Sequence, residues 1–552
     1  MKDLKPELLL SLKHYSKQDF TKDVVAGIIV AIIALPLSIA LALASGVAPE
    51  QGLYTAIVAG FVISALGGSK VQIAGPTAAF ATIVAGIVAT NGMEGLAVAT
   101  ILAGIILIIM GLLRMGSMIK FIPSTITVGF TAGIAITIVI GQLKEFLGLT
   151  ITTSPIETME KLEAVFVNIG TINYMALAIG LLALAILIFW PKVSKKIPAS
   201  LIAVIITAAC VKLFDLSVNT IGDLYTISSM PPTFHMPTIN FATVQAVLPD
   251  AFTIAILAAI ESLLSAVVAD DMIEAKHNSN MELIAQGAGN AASALFGGIP
   301  ATGAIARTAA NIKNGGQTPV AGIVHAIVLL LVLVLLMPYA TLIPMPCIAA
   351  ILFQVAYNMS GWRSVVQTLK RSPKSDISVL VVTFFLTVVF DLVIAIAVGL
   401  SLACLLFMKR MADVAQFKEW HYIDEDDVNE NTRHIPVPEH VMVYEISGPL
   451  FFGAADKIPH ITKEDDKHVL ILRMKAVPAM DVTALNGLLA LWHECHHQNI
   501  HVIFSHVNEQ PMSVFEKSGF VALAGKDNFQ DNIDEALERA QDLENKDVKK
   551  VC

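Results

Sequence analysis

Apolar runs and short polar breaks alternate along most of this chain, and the pattern ends abruptly near Lys409-Arg410. A helix that crosses a bilayer needs about 20 mostly apolar residues. Runs near that length fall at 24–45, 52–67, 75–90, 94–114, 121–148, 173–190 and 198–214. A polar loop from Asp215 to Val247 follows. A second set then runs at 249–269, 282–297, 303–314, 317–337, 340–358, 376–390 and 392–408. The pattern predicts seven spans plus seven. Two runs are about half a normal span, those beginning near Gly75 and Gly303, and each is the third of its set. The step from 75 to 303 nearly matches the step from 24 to 249, so the sets read as internal repeats. Short Gly/Pro-interrupted segments at matching places in two halves point to the binding site of a transporter.

An odd number of spans per half makes the repeats inverted. The charges agree with the rule that cytoplasmic loops collect Lys and Arg. Lys2, Lys5, Lys13, Lys17 and Lys22 assign the N-terminus to the cytosol. Lys70, Arg114, Lys120, Lys192, Lys195, Lys196, Lys276, Lys313, Lys370, Arg371, Lys374, Lys409 and Arg410 fall on the same side. The opposite loops carry mainly Lys144 and Lys161. Both termini are therefore expected in the cytosol.

Beyond Arg410 the pattern changes to short β-branched runs between helical stretches. His440–Ile446, Val469–Arg473 and Ile500–Phe504 read as strands, and Asp481–Gln498 and Asp531–Glu544 as helices. Such alternation predicts a small α/β domain. The expected organisation is a cytosolic segment at 1–23, a transmembrane domain at 24–410, a linker at 411–439, and the α/β domain with its tail at 440–552.

Composition supports the membrane reading. The 552 residues are 55% hydrophobic and 15% charged, and mean hydropathy is +0.71. Soluble domains run about 45–50% apolar and about 25% charged. A formal net charge of -9 argues against a nucleic-acid partner. Cys210, Cys347, Cys404, Cys495 and Cys552 stand alone, which implies neither a disulfide framework nor a thiolate metal site. The start is polar through Asp23 and the apolar stretch after it is too long for a cleavable signal peptide. No phosphate-binding loop is found, so ATP-driven pumping is not expected, and no cofactor or metal is implied. His493-Glu494-Cys495-His496-His497 fits the H-E-x-x-H pattern of zinc proteases. It sits near the end of a short helix in the polar tail with no third ligand, so no enzyme is read from it.

The chemistry falls at the two short spans. The first opens Ala74-Gly75-Pro76-Thr77-Ala78-Ala79-Phe80, the second Pro300-Ala301-Thr302-Gly303-Ala304-Ile305-Ala306-Arg307. Pro near the first helical position suits a helix start, and small residues let a ligand approach the backbone. Inversion would turn the two N-termini toward each other near mid-membrane. Unpaired N–H groups and two positive dipole ends make an anion site there. The alternative is ordinary small-residue helix packing. Arg307 is costly inside a membrane: it attracts the anion, pairs with a carboxylate, or snorkels to the interface. Glu261 lies well inside a span with Ser265 one turn on. An isolated carboxylate is expensive in hydrocarbon, so Glu261 is a candidate proton carrier; Na⁺ ligation with Ser265 and an ion pair with Arg307 are the alternatives. His325 and Gln354 read as interhelical hydrogen-bonding residues.

The same residues resemble a known family. Gly46-Val-Ala-Pro49-Glu-Gln-Gly52-Leu53-Tyr54 resembles the signature after the first span of the SulP anion transporters, the group called solute carrier 26 in animals. Gly75-Pro76-Thr77-Ala78 resembles its third span. Asp270, Lys276-His277-Asn278, Glu282-Leu283 and Gln286-Gly287 resemble its segment around spans eight and nine, and Arg307-Thr308 with Asn311 its tenth. The tail is similar to a STAS domain. The resemblance implies an α-helical membrane protein of 14 spans as a 7+7 inverted repeat with core and gate subdomains. It also implies elevator-like alternating access and a homodimer, with a cytosolic partner as a further role of the STAS domain. It implies Thr77, Ala78, Ala304 and Ile305 at the anion, beside the Gly303 and Arg307 expected there from the short spans themselves, and Glu261 and Ser265 at the coupling ion. Sodium-coupled bicarbonate members carry Asp and Thr where this chain has Glu261 and Ser265, and a hydroxyl where it has Ile305. That departure leans toward a proton. The expected function is proton-coupled uptake of sulfate or C4-dicarboxylates across a bacterial inner membrane. Sodium-dependent bicarbonate transport, an anion exchanger or channel, a nucleobase permease and a membrane-anchored sensor are the alternatives. In regulatory STAS proteins a phosphorylatable Ser follows an Asp; here Asp481 is followed by Val482, so Asp481 is expected as a helix cap.

Overall fold

The computed structural model describes residues 4–117, 123–151, 155, 157–194, 197–390, 392–420, 422–424, 434–459, 461 and 467–551. Lys2, Lys120, Lys195 and Lys196 of the charge pattern lie outside them. The chain forms two compact units, Met1–Leu400 and Ser401–Cys552.

Spans 1 and 2 are helices Lys17–Ala44 and Pro49–Leu66. Spans 3 and 4 run as one helix, Ala81–Leu112, broken where Gly92 takes φ 67° and ψ −173°. Spans 5 to 7 are Ser124–Leu147, Tyr174–Val193 and Ala199–Leu213. Spans 8 to 11 are Phe241–Ile273, Ser279–Leu295, Ile305–Lys313 and Val320–Ala340. Spans 12 to 14 are Met345–Met359, Lys374–Val389 and Leu392–Val414. Short helices at Thr158–Val167 and Trp362–Arg371 were not anticipated as separate elements.

The helices sort into two bundles. Spans 1–4 pack with 8–11, whereas spans 5, 6 and 7 pack with 12 and 13. Without a hydrophobic drive between helices in lipid, small residues set the contacts. Gly104 and Gly287 meet backbone to backbone: a Cβ on either would lie within 2.6 Å of the other's carbonyl oxygen. Buried Glu282 ties span 9 to the turn after span 2. It accepts from the amides of Gly68 at 2.9 Å and Ser69 at 3.2 Å, and from Gln72 Nε2 at 3.0 Å and Gln286 Nε2 at 2.9 Å. Four donors compensate a carboxylate that would otherwise be very costly to bury.

In the second unit, strand Gln416–Trp420 runs antiparallel to Val441–Ser447. Strands Val469–Ala476, His501–Ser505 and Phe529–Gln530 continue the sheet in parallel. The segment 411–439, expected as a linker, therefore supplies the antiparallel edge strand. Its polar sequence Gln-Phe-Lys-Glu-Trp suits an edge position, where only one neighbour is paired. Helix Val482–His497 packs on one sheet face through Leu485, Leu488, Leu491 and Cys495. The C-terminal helix covers the other through Ile533, Ala536, Leu537 and Ala540.

Candidate anion-binding site

The two short spans meet through strands rather than helices. Ala74–Gly75 pairs antiparallel with Thr302–Gly303, in the register Ala74 to Gly303 and Gly75 to Thr302. Gly303, expected in the first turn of a helix, is thus in a strand, and the helix starts at Ile305. Backbone groups at membrane depth must find partners inside the protein, and this two-residue ladder provides them. The Ala304 amide extends it to the Ile73 carbonyl at 2.9 Å. Asn290 holds the approaching strand, exchanging 2.8 Å hydrogen bonds with both the amide and the carbonyl of Ala301.

Because the strands are antiparallel, the helix starts flank the ladder from its two ends. One is the tight turn Ala78–Phe80 leading into span 3, with Thr77 at the N-cap position. The other is span 10, whose preceding residue is Ala304. Neither start receives a side-chain cap. Thr77 is a good capping residue, and such a cap contributes about 1 kcal/mol. Its hydroxyl instead donates to Glu261 Oε2 at 2.9 Å. The first amides of both helices are left for another acceptor. Thr77, Ala304 and Glu261 are partly exposed, and Ile305 is 46% exposed, so this edge of the ladder is open, while Ala78 is buried.

Arg307 neither pairs with Glu261 nor snorkels. It is 1% exposed, behind the first strand. Its Nη2 donates to the Pro76 carbonyl at 3.0 Å and reaches Ser38 Oγ at 3.5 Å. A Cβ on Gly75 would lie 2.1 Å from Nη1, so the missing side chain makes room for the guanidinium. Arg307 thus adds positive charge from behind the strand. Among the described residues it makes no ion pair with Glu261, which accepts from Thr77 instead.

Ser265 is fully buried and donates to Thr308 Oγ1 at 3.4 Å, and that oxygen accepts from the Ile73 amide at 3.1 Å. Glu261 and Ser265 therefore face different partners. Gln354 Nε2 donates to the Leu187 carbonyl at 3.3 Å, an interhelical bond. His325 is buried with neither ring nitrogen bonded among the described residues. Ser38 and Asn290 were missed from sequence, and Thr308 entered only as part of the family-like motif of span 10, with no role assigned. Ser38 and Asn290 each carried one signal, a single polar side chain among apolar or small neighbours.

In the second unit, Asp481 caps its helix, accepting from the Ala484 amide at 2.8 Å and, on its other oxygen, from the Phe452 amide at 3.0 Å. His493, His496 and His497 are exposed, and His496 stacks on Trp492 at 5.1 Å. Among the described residues no group of three His, Cys, Asp or Glu is placed to hold a metal.

The profile of the sulfate permease family matches residues 20–383, and that of the STAS domain residues 432–536. "Putative sulfate transporter YvdB" of Bacillus subtilis (strain 168) is 41% identical over 95% of this chain and 98% of its own. "Bicarbonate transporter BicA" of Picosynechococcus sp. is 34% identical over 84% of each chain. The inward-facing structure of the murine solute carrier 26 anion transporter A9 superposes with TM-score 0.87 at 19% identity, covering 98% of this chain and 94% of that one. It supports the fold alone.

Proposed function

This chain belongs to the sulfate permease family of multi-pass anion transporters and carries a STAS domain; from that premise we propose that it is a proton-coupled importer of sulfate or C4-dicarboxylates. The anion sits against the free amides of Ala78 and Ala79 on one side and of Ile305 and Ala306 on the other. Gly303 and Ala304 keep that wall small, and Arg307 supplies positive potential through the strand. Glu261 carries the proton. The observation that bears most weight is the 2.9 Å bond from Thr77 to Glu261 beside an uncapped helix start. A charged Glu261 there repels an incoming anion, and a protonated one does not, so proton and anion bind together. This linkage is reciprocal. The bundle of spans 1–4 and 8–11 moves as the core, elevator-like, against spans 5–7 and 12–14. The protein works as a homodimer in a bacterial inner membrane with both termini cytosolic, and its STAS domain supports that dimer or binds a cytosolic partner.

Uptake of labelled fumarate, sulfate and bicarbonate into proteoliposomes tests the reading, under an inward proton gradient and then a sodium gradient. Proton-driven uptake of fumarate or sulfate, with the pH response lost in Glu261→Gln, is the expected result. Glu261→Gln that concentrates substrate as well as the native chain refutes the coupling role. Sodium-driven bicarbonate transport is the second reading, favoured by the 34% identity to a bicarbonate transporter. Against it stands the separation of Glu261 and Ser265 onto different partners.

A further inference from the structure

The helix Trp362–Arg371 lies between spans 12 and 13, and it has no buried residue. At 100° per residue its sequence divides cleanly. Trp362, Val365, Val366 and Leu369 follow the i, i+3, i+4, i+7 spacing of one face. Arg363, Gln367, Lys370 and Arg371 occupy the rest, and Lys374 follows just after the helix. The helix carries no acid. Among the described residues it packs mainly on spans 5 and 13, yet Trp362, Val366 and Leu369 are 46%, 37% and 43% exposed. The apolar face is thus left part-exposed among the described residues.

We propose that this helix lies in the cytoplasmic membrane interface and binds anionic phospholipid headgroups. An amphipathic helix with Trp and Leu on one face and Lys/Arg on the other is built to lie in that plane. Trp362 also behaves as an interfacial residue, because its Nε1 donates to the Tyr357 hydroxyl at 3.1 Å and the Arg363 guanidinium lies 5.6 Å from its ring centre. Trp and Tyr concentrate at this depth. The loop leaves an even-numbered span, so it shares the membrane side of Lys17 and Lys22, where Lys and Arg collect. Each cation near an anionic surface contributes about 1 kcal/mol, roughly a fivefold enrichment of the lipid. The helix is joined to spans 12 and 13, so lipid contact anchors that bundle in the membrane plane.

The full chain is reconstituted in vesicles of phosphatidylcholine with 30 mol% phosphatidylglycerol, and tryptophan fluorescence is read with the acyl chains of one lipid or the other brominated. The Trp362 signal is the difference between the native chain and Trp362→Phe. The expected result is quenching of that signal, several-fold stronger per bromine for the brominated phosphatidylglycerol. The excess disappears in Lys370→Gln/Arg371→Gln/Lys374→Gln and returns in Lys370→Arg/Arg371→Lys/Lys374→Arg. Equal quenching by both lipids overturns the anionic preference. No quenching at all means that protein covers the apolar face, and overturns the proposal. The readout involves no transport, so it stands or falls apart from the coupling mechanism.

Discussion

Adding one methyl group at Gly75 should disable the anion site by displacing Arg307. The Cβ of Gly75→Ala would lie 2.1 Å from Arg307 Nη1 and 3.3 Å from its Cζ. Non-bonded carbon contacts settle at about 3.5–4.0 Å, so the guanidinium must retreat by more than about 1 Å. Arg307 is 1% exposed and has no solvent to retreat into. Its main bond, Nη2 to the Pro76 carbonyl at 3.0 Å, is to the residue next to the substitution, so retreat breaks it. A hydrogen bond to a charged group contributes about 1.5–3 kcal/mol. Overpacking a tight interior costs about 1–3 kcal/mol more. The lower ends combine to about 2.5 kcal/mol, roughly sixtyfold in an equilibrium constant. Two assays divide the effect: KM for sulfate or fumarate in proteoliposomes, and thermal unfolding in detergent. A double-mutant cycle isolates the contact. In an Arg307→Met background the penalty of Gly75→Ala on unfolding should fall below about 1 kcal/mol, because the clashing nitrogen is gone. Wild-type KM and unfolding in Gly75→Ala, or the same unfolding penalty in both backgrounds, refutes the packing of Arg307 behind the strand.

Thr77→Val keeps the shape of the side chain and removes the donor to Glu261, so proton-driven uptake should fall at least about tenfold, at about 1.5–3 kcal/mol for a bond to a carboxylate; Thr77→Ser should retain most of the rate, and a fully active Thr77→Val would sink the role of the hydroxyl. Asp481→Ala removes the cap of helix Val482–His497 and should cost the STAS domain about 1 kcal/mol. Hydrogen exchange of the first-turn amides in the full chain measures it, and unchanged protection there contradicts the capping role. Cys495 is buried and its thiol is pushed up to about 12, by burial first and then by the Glu494 carboxylate. Below that value it stays a neutral thiol, so at pH 8 it should resist iodoacetamide until the domain unfolds; mass spectrometry showing rapid labelling of folded protein would contradict this.

Periodicity and composition were enough to anticipate a 14-span helical fold, the two short segments and the α/β tail. They act through short-range physics: hydrocarbon thickness fixes run length. The paired motifs at 74–80 and 300–307 also marked the segments that the structure brings together as the candidate site, because Gly, Pro and small residues are what a chain needs where backbones approach closely. What the sequence could not decide were the partners of polar groups far apart along the chain. Arg307 was open to three readings. Only packing placed it behind Gly75 against Pro76 and Ser38, the last lying 269 positions away in sequence. Thr77 had the chemistry of a cap, and only the approach of span 8 turned its hydroxyl to Glu261. Gly303 was expected to begin a helix, and pairing with Ala74 made it a strand, since two backbones meeting in a membrane must satisfy each other before either can coil. Residues 416–420 were too polar to be recognised as sheet, and became an edge strand because Val441–Ser447 offered an unpaired side. The sequence determined which groups are present and which segments are apolar enough to cross a membrane; the tertiary structure decided which of them face one another, because those distances depend on the packing of helices remote in the chain.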